Sequence, residues 1–174
     1  NDPPDAGGDT TVVAPGGGAV SIPEDTPAPG APNIRLVPPT LSDVEGPVPA
    51  AVRILSVIGG TLTQGDGSTI GLGTGGSIIA LTGGGVDLRF IPAVERDTDA
   101  SFGYTVVDGV NPGINSTAST ATIDIAPVND APQLVVSGGA ASFVENRAPV
   151  AVDPGATVAD IEKVRSFLEG ILRL

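Results

Sequence analysis

The chain has 174 residues, of which 25 are glycine and 17 proline, and hydrophobic residues make up 40%. Twenty acidic residues against 8 basic ones give a formal net charge of -12, which argues against nucleic acid and anionic lipid as partners, because both are bound through basic patches. With no cysteine and no histidine, the chain lacks disulfides, the usual zinc and iron–sulfur ligands and the usual nucleophile–base pairs, while hard-cation sites built from oxygen ligands stay open.

The apolar material is mostly Val, Ile, Leu and Ala, cut into short runs by Gly and Pro. Branched side chains suit a pleated surface, so the expectation is an all-β sandwich rather than a helical fold. No apolar run approaches the 20 or so residues needed to span a bilayer as a helix, so membrane insertion is not expected.

Residues 1–16 read as a Pro/Gly/Asp-rich linker, within which Thr11-Val12-Val13-Ala14 suits a short edge strand. The first full strand is Gly18-Ala19-Val20-Ser21-Ile22, ended by Pro23-Glu24-Asp25. A strand around residues 33–37 follows, then an acidic turn at Leu41-Ser42-Asp43-Val44-Glu45-Gly46. Val52-Arg53-Ile54-Leu55-Ser56-Val57 is strand-like, and Gly59-Gly60-Thr61-Leu62-Thr63 continues it through a bulge or hairpin. After a Gly-rich stretch at 64–76, two strands at 77–82 and 86–91 flank three glycines; Val86, Leu88 and Phe90 alternate and point inward. A loop with Glu95, Arg96, Asp97 and Asp99 leads to a strand in which Phe102 and Tyr104 share a face, and residues 118–126 form the last strand.

That strand runs into Ala126-Pro127-Val128-Asn129-Asp130-Ala131-Pro132, a proline-bounded seam, and the chain opens on the similar Asn1-Asp2-Pro3-Pro4. After each seam the same order recurs. Ala141-Ser142-Phe143-Val144-Glu145-Asn146 resembles 19–25, and Val158-Ala159-Asp160-Ile161-Glu162 resembles 41–45. The reading is a degenerate internal repeat. Residues 17–130 form a complete module and 131–162 the start of a second, incomplete one. Residues 163–174 place Val164, Phe167, Leu168, Ile171 and Leu172 at helical spacing and predict a short amphipathic helix.

The acids gather in short motifs at strand ends: Glu24-Asp25, Asp43-X-Glu45, Asp97-X-Asp99 and Asn129-Asp130. Such loops offer carboxylate and carbonyl oxygens to Ca²⁺, which takes 6–8 of them at about 2.3–2.6 Å. The competing reading is that each is an ordinary Asx turn ending a strand. Their recurrence in the same order after both seams favours calcium as the cofactor. The Gly-rich stretches lack the Lys-Ser/Thr of a phosphate loop, and a single Gly65-Asp66-Gly67 is not a calcium β-roll repeat. Asn115-Ser116-Thr117 is a formal glycosylation acceptor in a polar loop, and catalysis is not expected.

The stretch from Ala121 to Pro132 resembles the closing signature of bacterial cadherin-like (tandem-95, VCBS-related) Ig-like repeats, whose arrays occur in very large secreted adhesins. Residues 88–93 and 101–109 are similar to that family's penultimate strands, and Asp43-Val44-Glu45 resembles its acidic early turn. The resemblance covers residues 18–130, with a second start at 131–162. It implies an Ig/cadherin-like antiparallel sandwich of Greek-key topology, with calcium at the junction between consecutive modules. The ligand candidates it implies are Glu24, Asp43, Glu45, Asp97, Asp99, Asn129 and Asp130, and in the second copy Glu145, Asp160 and Glu162. It further implies a bacterial secreted or cell-surface location, adjacent repeats of the same chain as partners, and a role as spacer or in cell adhesion. The alternative is a carbohydrate- or protein-binding accessory module of a secreted enzyme, reading a glycan or protein through loops 64–76 and 109–117.

Overall fold

The computed structural model describes residues 2–44, 46–108, 114–139, 141–142 and 144–160. The expected helix at 163–174 and the candidates Glu45 and Glu162 lie outside these residues. The chain divides into two compact units, Asn1–Val128 and Asn129–Leu174. All the regular elements described are strands: β1 (Thr10–Thr11), β2 (Ser21–Pro23), β3 (Ile34–Leu36), β4 (Ala51–Ile58), β5 (Gly60–Gln64), β6 (Ile78–Ala80), β7 (Val86–Pro92), β8 (Ala100–Val107) and β9 (Ser119–Ala126) in the first unit, β10 (Gln133–Val135) and β11 (Thr157–Ala159) in the second.

The first unit has two sheets. One runs β1-β9-β8-β4-β6, with β2 also on β9; the other runs β3-β7-β5. Alternation decides which side chains they share. Val86, Leu88 and Phe90 of β7 are buried, as are Phe102, Tyr104 and Val106 of β8 and Ala121, Ile123 and Ile125 of β9. With Ile34 and Leu36 of β3 and Val52 and Ile54 of β4 they form one core between the sheets, a β-sandwich arrangement. The Phe102 and Tyr104 rings lie 6.5 Å apart and tilted by 57°, as their common face predicted.

Three features differ from the sequence reading. The opening segment, read as a linker with a short edge strand at 11–14, is held to the sheet over a longer stretch than that. β1 and β2 both pair with β9, and both run parallel to it: Thr10 opposite Ala121, Ser21 opposite Asp124. Asp9 Oδ1 accepts from the Thr120 amide at 2.6 Å, the Tyr104 hydroxyl donates to the Gly8 carbonyl at 3.1 Å, and Val12 is 1% exposed. Buried Val12 and these long-range bonds hold the segment to the sheet.

The second difference is at Gly59-Gly60. Residues 60–64 neither extend β4 nor fold back on it as a hairpin. β4 belongs to the first sheet and β5 pairs with β7 in the second, so the chain crosses between layers at this point. Gly59 has φ 85, and a Cβ on Gly60 would lie 2.3 Å from the Ile91 carbonyl oxygen and 2.4 Å from the Phe90 ring. Only glycine fits both positions. β4 does carry a bulge, but at Leu55: Ile54 opposes Tyr104 and Ser56 opposes Gly103, leaving Leu55 unpaired.

The third difference is in the second unit. The segment expected to copy the first strand holds no strand among its described residues; Glu145 and Asn146 form a turn, with Asn146 at φ 61. The expected acidic turn instead begins as strand β11, which pairs antiparallel with β10. No described residue of 129–160 is buried, and Leu134, Val136 and Val158 are all more than 60% exposed. A two-stranded ladder with no covered face is marginal by itself.

Candidate functional site: the acidic strand ends

The expected ligands of the first unit fall into two places. Glu24 follows β2 and Asp99 precedes β8, and both grip the end of β9. The Glu24 amide donates to the Ala126 carbonyl at 3.0 Å, and Glu24 Oε1 accepts from the Val128 amide at 2.7 Å. Asp99 Oδ1 accepts from the Ile125 amide at 3.4 Å. The main chain over 125–128 is therefore held from two sides by carboxylates. Each uses one oxygen; Glu24 Oε2 and Asp99 Oδ2 have no hydrogen-bond partner among the described residues.

Glu24 is 7% exposed, and a carboxylate buried that far needs a partner for its charge. A backbone amide supplies part of this; a charge-assisted N–H···O⁻ bond of this length is among the stronger hydrogen bonds. The loop that carries Asp97 and Asp99, both exposed, is organised by Arg96. Its Nε donates to the Thr98 carbonyl at 2.7 Å and its Nη2 to the Asp99 carbonyl. Glu95 takes φ 56 to let the loop turn around that guanidinium. From the sequence alone Arg96 is only a member of this loop, with no role assigned to it; its place among three acids is the signal that marks it as the loop's organiser.

Asp43 lies elsewhere. Ser42, beside it, bridges antiparallel to Asp5, with Asp5 N to Ser42 O at 2.9 Å. This puts Asp43 on the side of the opening segment that precedes β1, whereas Glu24 and Asp99 sit where β9 finishes. Because β1 and β2 both run parallel to β9, these are opposite ends of that strand.

In the second unit, Asn129 Nδ2 donates to the Asp130 carbonyl at 2.8 Å, Glu145 is exposed, and Asp160 is half-buried after β11. Gln133 pairs with Ala159, the residue before Asp160. The same geometry occurs in the first unit, where Asp5 pairs with Ser42, the residue before Asp43. In each case the fourth residue after the seam asparagine pairs antiparallel with the residue before the acidic turn. The two segments thus share a main-chain pairing at the matching position.

Among the described residues, no three acidic side chains converge closely enough to hold a metal by themselves. The arrangement offers two carboxylates, each half-committed to the main chain, at one end of the sandwich. No protein-family model matches the chain, and no curated protein or solved structure matches it either.

Proposed function

We propose that the chain is a non-catalytic structural module: an Ig/cadherin-like, Greek-key sandwich from a tandem array, serving as a spacer in a large secreted or surface protein. The observation that carries this reading is the shared opening. Asp5 pairs with Ser42 and Gln133 with Ala159, each after an Asn-Asp-X-Pro seam. A fold that restarts in the same way after the same seam is built as a series. A chimera tests this directly: residues 129–159 followed by residues 43–128 should unfold in one cooperative transition, since the second opening would take the place of the first. A chimera that stays uncooperative, while residues 1–128 alone melt sharply, removes the repeat.

Calcium is the second part of the proposal. Glu24 and Asp99 each present an oxygen that no described group satisfies, at the same strand end, with Asp97 in the same loop. A hard cation is the natural counter-charge for such oxygens, and the chain's net charge of -12 attracts it. For a chain with no disulfide, an ion at about 100 times its Kd would add about 2.7 kcal/mol of stability. Melting in millimolar calcium and in chelator is the test; identical midpoints sink the calcium reading and leave the spacer reading standing.

A further inference from the structure

A second feature lies away from the acidic strand ends, at the open edge of the sandwich. A cavity of about 220 Å³ opens where β6, the last strand of one sheet, faces β3, β5 and β7 of the other. Its floor includes Ile79 and Val86, both buried in the core. Its rim is polar, and the parts of the rim differ in how far they are committed.

Arg35 is fixed. Its Nη1 donates to Asp87 Oδ1 at 2.8 Å, and its Nη2 donates to the Thr82 carbonyl. The charge of Arg35 is therefore spent within the protein. Asp87 keeps its second oxygen, Oδ2, without a partner among the described residues, and its side chain is 41% exposed. The half-buried Gln64 amide and the exposed Thr82 hydroxyl likewise make no hydrogen bond to described residues. Asp66, also on the rim, has its carboxyl held below the usual carboxylate range by hydrogen bonds from Ser68, so it stays ionised. Close approach of the walls depends on glycine: a Cβ on Gly85 would lie 2.8 Å from Arg35 Nε, and one on Gly65 2.8 Å from the Asp87 carbonyl.

We infer that this cavity is a binding site for one ring of a neutral sugar. The chemistry of the rim selects the class. A carboxylate oxygen only accepts, an amide offers both donors and an acceptor, and a hydroxyl does both. Together they match adjacent hydroxyls of a polyol, while the floor meets its C–H face. Two carboxylates against one neutralised guanidinium, on a chain of net charge -12, disfavour an acidic sugar. The volume is below the roughly 300–1,000 Å³ of drug-sized pockets, which fits a single ring. No aromatic platform lines it, so affinity for one ring is in the millimolar range. The site is independent of the calcium and spacer readings, sharing none of their residues.

The experiment is an amide-shift titration of the ¹⁵N-labelled full chain with methyl hexosides of the gluco, manno and galacto series, and with glucuronate as the anionic control. At least one neutral glycoside should give saturable shifts at the Gln64 side-chain amide and at residues 82–87. Gln64→Ala and Thr82→Val, which break no protein hydrogen bond, should each weaken binding by about tenfold with the melting midpoint held. Absence of saturable shifts with all three neutral glycosides overturns the proposal. So do shifts that survive both substitutions, or tighter binding of glucuronate than of every neutral sugar.

Discussion

Glu24 carries two separable claims, and substitution at that one position distinguishes them. Its carboxylate is 7% exposed and accepts from the Val128 amide at 2.7 Å. A hydrogen bond to a charged group contributes about 1.5–3 kcal/mol, against about 0.5–1.5 for a neutral one. Glu24→Ala removes the acceptor and leaves the Val128 amide without it; the cost should be about 1.5–3 kcal/mol. Glu24→Gln keeps an oxygen for that amide and should cost only about half as much. In a domain of this size each kcal/mol moves the melting midpoint by about 3–5 °C, so the alanine variant should fall by about 5–15 °C. Thermal melts in chelator give this comparison without any ion. Equal losses for Ala and Gln would refute the anchoring role. The same melts with calcium test the other oxygen. If Oε2 is a ligand, both variants lose most of the calcium increment, and an undiminished increment in Glu24→Gln removes Glu24 from the ligand set.

Tyr104 is the chain's single tyrosine, so phenolate absorbance reports on it alone. Burial pushes its hydroxyl above the ordinary value of 10, and the charge of Asp9 adds to this against an opposing hydrogen bond with Ser119. The folded state therefore favours the neutral phenol. That contribution to stability is complete below pH 10 and is lost as the pH rises through the folded-state value. The absorbance titration should show a midpoint above that of the urea-unfolded chain, and Tyr104→Phe should lose this alkaline component of the stability profile. At the layer crossing, Gly60→Ala places a methyl group against the Ile91 carbonyl and the Phe90 ring and should cost at least about 1–3 kcal/mol in urea melts; Gly8→Ala, which meets nothing within 4 Å but has φ 96, should show backbone strain alone. In the core, Leu36→Ala, at a side chain with no exposure, should cost about 2–5 kcal/mol by the same melts.

Much of the strand plan is legible locally. Val86, Leu88 and Phe90 alternate with Asp87, Arg89 and Ile91, and this period of two identifies the buried face without any knowledge of the partner strand. The tilted Phe102–Tyr104 pair follows from the same rule. The candidate acids were legible as types at strand ends, but not as a set. Asp43 resembles Asp97-X-Asp99 in sequence, yet it sits by the opening segment, while Asp99 grips the end of β9. The polar rim of Gln64, Thr82 and Asp87 was legible only in part: Gln64 opens the loop 64–76 named as a possible glycan reader, whereas Thr82 and Asp87 come from separate stretches that only the fold brings beside it.

The sequence by itself determined what each short segment is. Branched and alternating residues make strands, Gly and Pro end them, and an acidic chain without cysteine or histidine restricts the available chemistry to oxygen ligands and polar contacts. Only the tertiary structure decided which segments meet. It laid the opening residues parallel to β9, moved the chain from one layer to the other at Gly59-Gly60, and buried Glu24 against Val128. The physical reason is one of range. Side-chain periodicity and turn chemistry act over a few residues, whereas strand pairing is settled by how all the apolar faces are buried at once. A single segment carries its own face but not the identity of the strand that will cover it.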